Sequence, residues 1–171
     1  FWFMLGMGAV GFTAFNSSFY VAAHHTTALN IGIIQGAMPI AVMIGAFLVF
    51  GTRITLLLAR GVLVTIGGVI IVAAAGDVSR LAQLAFNSGD IIMLVAVTFY
   101  GAYAVFLPNK PKVPGLAFFG GIALAALVTS LPLAAIEIAR GDVVWPTPKG
   151  IAILLYVSIF PSLLSQLFFI R

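Results

Sequence analysis

The sequence predicts an all-α, multipass transmembrane helical bundle, and three observations carry that prediction. Hydrophobic residues make up 63% of the 171 residues and charged residues only 7%, where a soluble domain carries roughly 25% charged. Mean hydropathy is +1.23, so the chain lacks the polar surface to cover a globule and its solvent is largely lipid. The apolar residues also gather in runs of about 20, the length that crosses a hydrocarbon core of about 30 Å.

Six spans follow in order. The first is Phe1 to Ala23, then Asn30 to Phe50 and Ile54 to Ala75. The fourth is Ile91 to Leu107, short unless residues near Asp90 extend it; the fifth is Leu116 to Ala139 and the sixth Ile151 to Ile170. The connections are brief. His24–Leu29 joins the first two spans, and Gly51-Thr52-Arg53 is a tight turn. Asp77 to Asp90 is the longest polar break and divides the chain into two groups of three helices. Prolines make Pro108-Asn109-Lys110-Pro111-Lys112 and Arg140 to Gly150 loops, and Trp145 in the second suits the membrane–water interface. The chain opens at Phe1 inside one apolar run and closes at Arg171 after another, so it reads as an internal piece of a longer protein.

The net charge is +4, yet the basic residues are scattered singly at the edges of apolar runs. That pattern excludes a nucleic-acid surface and fits interfacial anchors facing a lipid bilayer. Arg53, Arg60, Lys110, Lys112 and Arg171 fall on one side of the membrane; Arg80, Arg140 and Lys149 fall on the other with all the acids. The more basic side is cytoplasmic by the positive-inside rule, which puts the Arg53 and Lys110–Lys112 loops in the cytoplasm of a cell-membrane protein. Arg60, two turns into its span, snorkels to the headgroups.

Zero cysteines exclude disulfides and thiolate metal sites. No HExxH, CxxC, GxSxG or phosphate-binding glycine loop occurs, and no Asp or Glu lies mid-span. His24 and His25 sit at a helix end and read as interfacial residues. No catalytic residue, metal or cofactor is therefore expected, and the chain does not read as an enzyme.

The polar residues inside the spans carry the functional signal. In "IGIIQGAMPIAVMIGAF" (Ile31–Phe47), Pro39 has no N–H to give the carbonyl of Gln35, four residues back. The Gln35 amide lies one turn from the proline on the same face. An unsatisfied polar group in hydrocarbon costs several kcal/mol, so this patch should face protein or a wet cavity. The last span repeats the device with Pro161, Ser158, Ser162, Ser165 and Gln166; the first places Asn16 one turn before Tyr20; the fourth places Tyr100 and Tyr103 on one face. A Ser or Thr commonly bonds its own helix, and Gly32, Gly36 and Gly67-Gly68 fit close helix packing. The amides have more bonding sites to fill. Asn16, Gln35, Tyr100, Ser165 and Gln166 are the candidate cavity residues, with Pro39 and Pro161 bending helices around them.

The stretch "TTALNIGIIQGAMPIAVMIGAFLVFGTRITLLLARGVLVTIGGVIIV" resembles the central part of an EamA-type repeat of the drug/metabolite transporter superfamily. The likeness rests on Asn30, Pro39, Gly51 and Gly67-Gly68. "SGDIIMLVAVTFYGAYAVF", led by Gly89-Asp90, resembles the opening helix of that family's second repeat, and "SIFPSLLSQLFFIR" its third helix. Thr52 stands where the family usually has an acid. The resemblance implies a ten-helix transporter of two inverted five-helix repeats, of which this chain supplies six: residues 1–76 the end of the first repeat, 77–90 the linking loop, and 91–171 the start of the second. It implies alternating access that moves small metabolites or drug-like solutes, as exporter or permease. A second copy of the chain remains open as a partner. A different reading makes the chain a membrane-embedded structural or assembly subunit whose polar stripes bind partner helices.

Overall fold

The computed structural model describes residues 1–73 and 85–164. Among these the secondary structure is helical. Trp2–Gly8 (α1), a π-helical segment Ala9–Ala14 and Phe15–Ala23 (α2) follow one another in the first span. Ala28–Gly36 (α3) and Met38–Phe50 (α4) make up the second, and Leu56–Ala73 (α5) the third. Ser88–Phe106 (α6), with a 3-10 turn Leu107–Asn109, is the fourth; Gly115–Arg140 (α7) is the fifth. Pro148–Val157 (α8) leads into a second π-helical segment, Ser158–Leu164.

Among the described residues three stretches are long and apolar enough to cross a membrane: Ala28–Phe50 with 23 residues, Ser88–Asn109 with 22 and Gly115–Arg140 with 26. At 1.5 Å per residue the shortest is about 33 Å long, enough for a core of about 30 Å. Leu56–Val72 and Pro148–Phe160 are shorter apolar helices. Large apolar side chains face outward along the helices; Leu57 is 82% exposed, Val72 79% and Leu48 73%. In water this surface would drive aggregation. Against acyl chains it needs no cover.

Local chemistry sets the helix ends. Gly51 (φ 63°) and Gly141 (φ 74°) adopt the left-handed conformation that closes α4 and α7, where a side chain would be strained. The hydroxyl of Thr27 caps α3 by accepting from Asn30 N, and that of Thr147 caps α8 by accepting from Gly150 N. The fourth span starts earlier than its apolar run predicts. Asn87 and Asp90 form a capping box, each side chain accepting from the other's backbone N–H, so Asp90 belongs to the first turn of α6 rather than to the preceding loop.

The chain divides into two compact units, residues Phe1–Ala9 with Lys110–Arg171, and Val10–Asn109. In the first unit α1 lies on α7. Met7, Phe118, Ile122 and Ala125 are buried there, and the Phe3 and Phe118 rings sit 6.4 Å apart. Gly8 permits the approach, since a Cβ at that position would lie 2.7 Å from both the Ala125 Cβ and the Ile122 carbonyl oxygen. The Lys110 ammonium stands 5.9 Å from the centre of the Phe118 ring, at the start of α7.

In the second unit α6 is the central helix. Ala22, Met93, Ala96 and Val97 form its core, wrapped by Phe15, Phe19, Ile31, Ile34, Met38 and Ala41. Gly101 meets Ala41, and Gly45 meets Val105, where α4 crosses α6. Small residues at such crossings let backbones approach closely, which is how helices gain packing energy when lipid offers the same hydrophobicity as a neighbouring helix.

Candidate functional site

The second span is two helices and not one. α3 stops at Gly36, Ala37 forms a turn, and α4 starts at Met38 with Pro39 in its first turn. The missing N–H of proline is harmless there, because the first turn of a helix has no intrahelical partner for its donors. The Ala37 N–H reaches back three residues to the Ile34 carbonyl at 3.0 Å, and Ile40 N bonds the Ala37 carbonyl at 2.9 Å. Gln35 lies just before the break. It is half-buried, and no hydrogen bond joins its amide to the described residues. Pro39 is exposed.

Tyr100 belongs to an aromatic seam between the first span and α6. Its ring lies 5.3 Å from Phe15 and 5.9 Å from Tyr103. Tyr103 in turn meets Phe12 edge-on at 5.7 Å and presses its ring against Gly11. Gly11 and Phe12 lie in the π-helical segment, whose wider turn shifts the backbone bonding register. Asn16 sits just beyond that shift, exposed, and its amide donates to the Phe12 carbonyl at 2.8 Å. Asn16 thus serves its own helix. Pro161 lies in the second π-helical segment. Ser165 and Gln166 lie outside the described residues.

Several hydroxyls inside the spans also serve their own helices. Ser158 donates to the Leu154 carbonyl at 2.7 Å and Ser130 to Leu127 at 2.9 Å. Thr98 donates to the Leu94 carbonyl at 2.9 Å. Two grooves open between helices of the second unit. One of about 440 Å³ runs between α4 and α6, past Ala37, Ile44, Gly45, Thr98 and Phe106. Another of about 610 Å³ lies between α3 and α5, past Ala28, Gly32, Thr65, Gly68 and Val72. Both are apolar, and neither is lined by Asn16, Gln35 or Tyr100.

Among the described residues the densest polar cluster centres on Asp90, only 2% exposed. Thr26 Oγ1 donates to Asp90 Oδ1 at 2.5 Å. Asn30 Nδ2 donates to Oδ1 at 3.0 Å and Oδ2 at 2.9 Å. Asn87 N donates to Oδ2 at 3.0 Å. Asn30, 7% exposed, also reaches the Ala85 carbonyl at 3.2 Å, and the Asn87 amide donates to the Thr26 hydroxyl at 3.1 Å. The carboxylate therefore joins the loop after α2, the start of α3 and the start of α6. Gly89 makes room for it, as a Cβ there would lie 2.6 Å from the His25 carbonyl carbon. This cluster escapes a reading of apolar runs, which starts the fourth span at Ile91 with Asp90 at its edge. Its one local signal is the Asn87-to-Asp90 spacing of a capping box. Among the described residues no three of His, Asp and Glu come together as metal ligands.

Compared with known proteins, the chain is 25% identical over 99 residues to a protein of Bacillus subtilis (strain 168) described as "Uncharacterized transporter YyaM". The match covers 58% of this chain and 32% of that protein, so the chain spans about a third of the relative's length. No family model matches, and no solved structure matches.

Proposed function

We propose that the chain is the central part of a secondary transporter that carries small organic solutes across the cell membrane by alternating access. The observation that carries this reading is the interrupted span at Gly36–Met38 with the Gln35 amide beside it. Discontinuous membrane helices are where transporters bind solute, because freed backbone groups and polar side chains then stand at the level of the hydrocarbon core. The likeness to a bacterial protein described as a transporter supports the same class. Gln35 offers the solute a donor and an acceptor, and the Tyr100 ring offers an aromatic face. In this reading residues 1–76 and 91–171 belong to two inverted repeats, and the Arg53 and Lys110–Lys112 loops face the cytoplasm.

Flux of a solute panel through the complete protein in liposomes tests the proposal. Gln35→Leu keeps the apolar length of the span but removes a hydrogen bond worth about 1 kcal/mol. Initial rates should fall by roughly fivefold or more for transported solutes. Unchanged rates in a variant that inserts normally would remove Gln35 from the site. A protein that moves no solute and purifies only with a fixed partner would make it an assembly subunit instead.

A further inference from the structure

The second span carries two very different contacts with α6, one on each side of its break. Before the break, α3 packs Ile31 and Ile34 on the α6 core and is held by charge as well. Asn30 gives two hydrogen bonds to the buried Asp90 carboxylate, and Thr26, just upstream, gives a third. The far end of α3 is wedged against α5, where a Cβ on Gly36 would lie 2.6 Å from Val69 Cγ1. After the break no hydrogen bond joins the helices among the described residues, since Thr98 of α6 borders the groove but donates to the Leu94 carbonyl of its own helix. α4 reads MPIAVMIGAFLVF and contains no side chain able to donate a hydrogen bond. It meets α6 through Ala41 on Gly101, Gly45 on Val105, and the Phe50 and Phe106 rings 5.9 Å apart.

Lipid makes these contacts unequal. Moving α3 off α6 would strip the buried Asp90 carboxylate and the Asn30 amide of the hydrogen bonds they share, and a buried charged group left without its donors loses more than a neutral one. Moving α4 off α6 exchanges side-chain packing for acyl-chain packing, with no hydrophobic penalty. The apolar groove already lies along that seam. The joint between the two arms is also built for motion, since Ala37 forms a turn and Pro39 cannot supply the N–H that would close a continuous helix.

We infer that the span works as a fixed arm and a swinging arm: α3, pinned to α6 by Asp90, stays put, while α4 pivots about Gly36–Ala37 and opens or closes the α4–α6 seam. Asp90 is thus a positioning residue that sets which half of the span can move. The inference deepens the transport reading by naming its moving element, and it rests on that reading only for its consequence.

Spin-label pairs test it in the complete protein, with any cysteine outside this sequence replaced by serine; this sequence itself contains none. One pair goes at Ala28 and Ile91, exposed positions on the fixed arm and α6; the other goes at Leu48 and Asn109, exposed positions on the swinging arm and in the turn that ends α6. In lipid nanodiscs the first pair should give one narrow distance peak and the second a broad or two-peaked distribution. Pro39→Ala, which restores the N–H, should narrow the second distribution and leave the first unchanged. Asp90→Asn should broaden the first. Narrow peaks at both pairs, or a broader distribution at Ala28–Ile91 than at Leu48–Asn109, would overturn the inference without any Asp90 variant. Distances are read without flux, so a mobile α4 in a protein that moves no solute would count against the transport reading alone.

Discussion

Replacing Asp90 by alanine should be among the most damaging single changes in the second unit, and the structure sets its size. The carboxylate accepts from the Thr26 hydroxyl, from Asn30 Nδ2 through both oxygens, and from the Asn87 N–H. Asp90→Ala leaves these donors without their acceptor. Asn30 keeps one bond, to the Ala85 carbonyl, so its loss is partial. The Thr26 hydroxyl proton and the Asn87 N–H lose their bonds outright. A buried orphaned donor costs about 1–3 kcal/mol, although polar pairs in membrane proteins average only about 0.6 kcal/mol because the unfolded chain finds substitutes. Two full losses and one partial loss therefore give about 2–4 kcal/mol. Asp90→Asn keeps an acceptor on one side and points an NH2 at another donor on the other, which should cost about 1–2 kcal/mol. The assay is reversible unfolding in mixed micelles as denaturing detergent is added, with Asp142→Ala as the control at an exposed acid. A loss under about 0.5 kcal/mol for Asp90→Ala, equal to that expected of an unremarkable surface change, would refute the assignment of the cluster as a buried tie.

Other substitutions test the packing. Gly8→Ala brings a Cβ within 2.8 Å of the Ala126 backbone nitrogen as well as the Ile122 carbonyl; backbone cannot swing aside, so thermal stability should fall by about 1–3 kcal/mol. Gly6→Ala meets nothing within 4 Å and should be neutral or stabilising by up to about 1 kcal/mol from helix propensity; equal effects at the two positions would dismiss the α1–α7 contact. Gly121→Ala faces only the flexible end of Met4 and should sit between them in the same melting experiment. Thr147→Ala removes the cap of α8 and should cost about 1 kcal/mol, with faster amide exchange confined to the first turn of that helix.

Much of the fold is legible in the sequence because lipid imposes a simple rule. A backbone that meets no water must bond to itself, so an apolar run of sufficient length becomes a helix. The runs that became α5 and α7 follow directly, as do the turns closed by Gly51 and Gly141. What stays hidden depends on partners far apart in the chain. Nothing near Asp90 announces that Asn30, 60 residues earlier, will donate to both of its oxygens. The apolar-run criterion starts the fourth span at Ile91 and leaves Asp90 only as a residue that could extend it. The π-helical segment at Ala9–Ala14 is equally silent: it contains no proline, and its register shift meets the ring of Tyr103 from another helix. The break at Ala37 is half legible. Pro39 announces an interruption, but a proline fits the first turn of a helix with no loss, so the chain stops earlier, at Gly36, and restarts.

Polar side chains in these helices fall into two kinds, and the difference bears on the site. Thr65, Thr98, Ser130 and Ser158 each return a hydrogen bond to a carbonyl three or four residues back in their own helix. That bond is available to a hydroxyl anywhere along a helix, so these positions carry no information about what lies opposite. Asn16 does the same with an amide. Gln35 does not, and its longer side chain stands next to a break where the helical ladder has already lapsed. A residue that could satisfy itself and does not is better evidence for an external partner than a row of hydroxyls that do. Gln35→Leu and Asn16→Leu should therefore separate cleanly. The first should lower flux with little change in stability; the second should lower stability by about 1 kcal/mol, through the lost bond to Phe12, with flux per folded molecule unchanged. The reverse pattern would move the solute site from the broken span to the π-helical turn of the first.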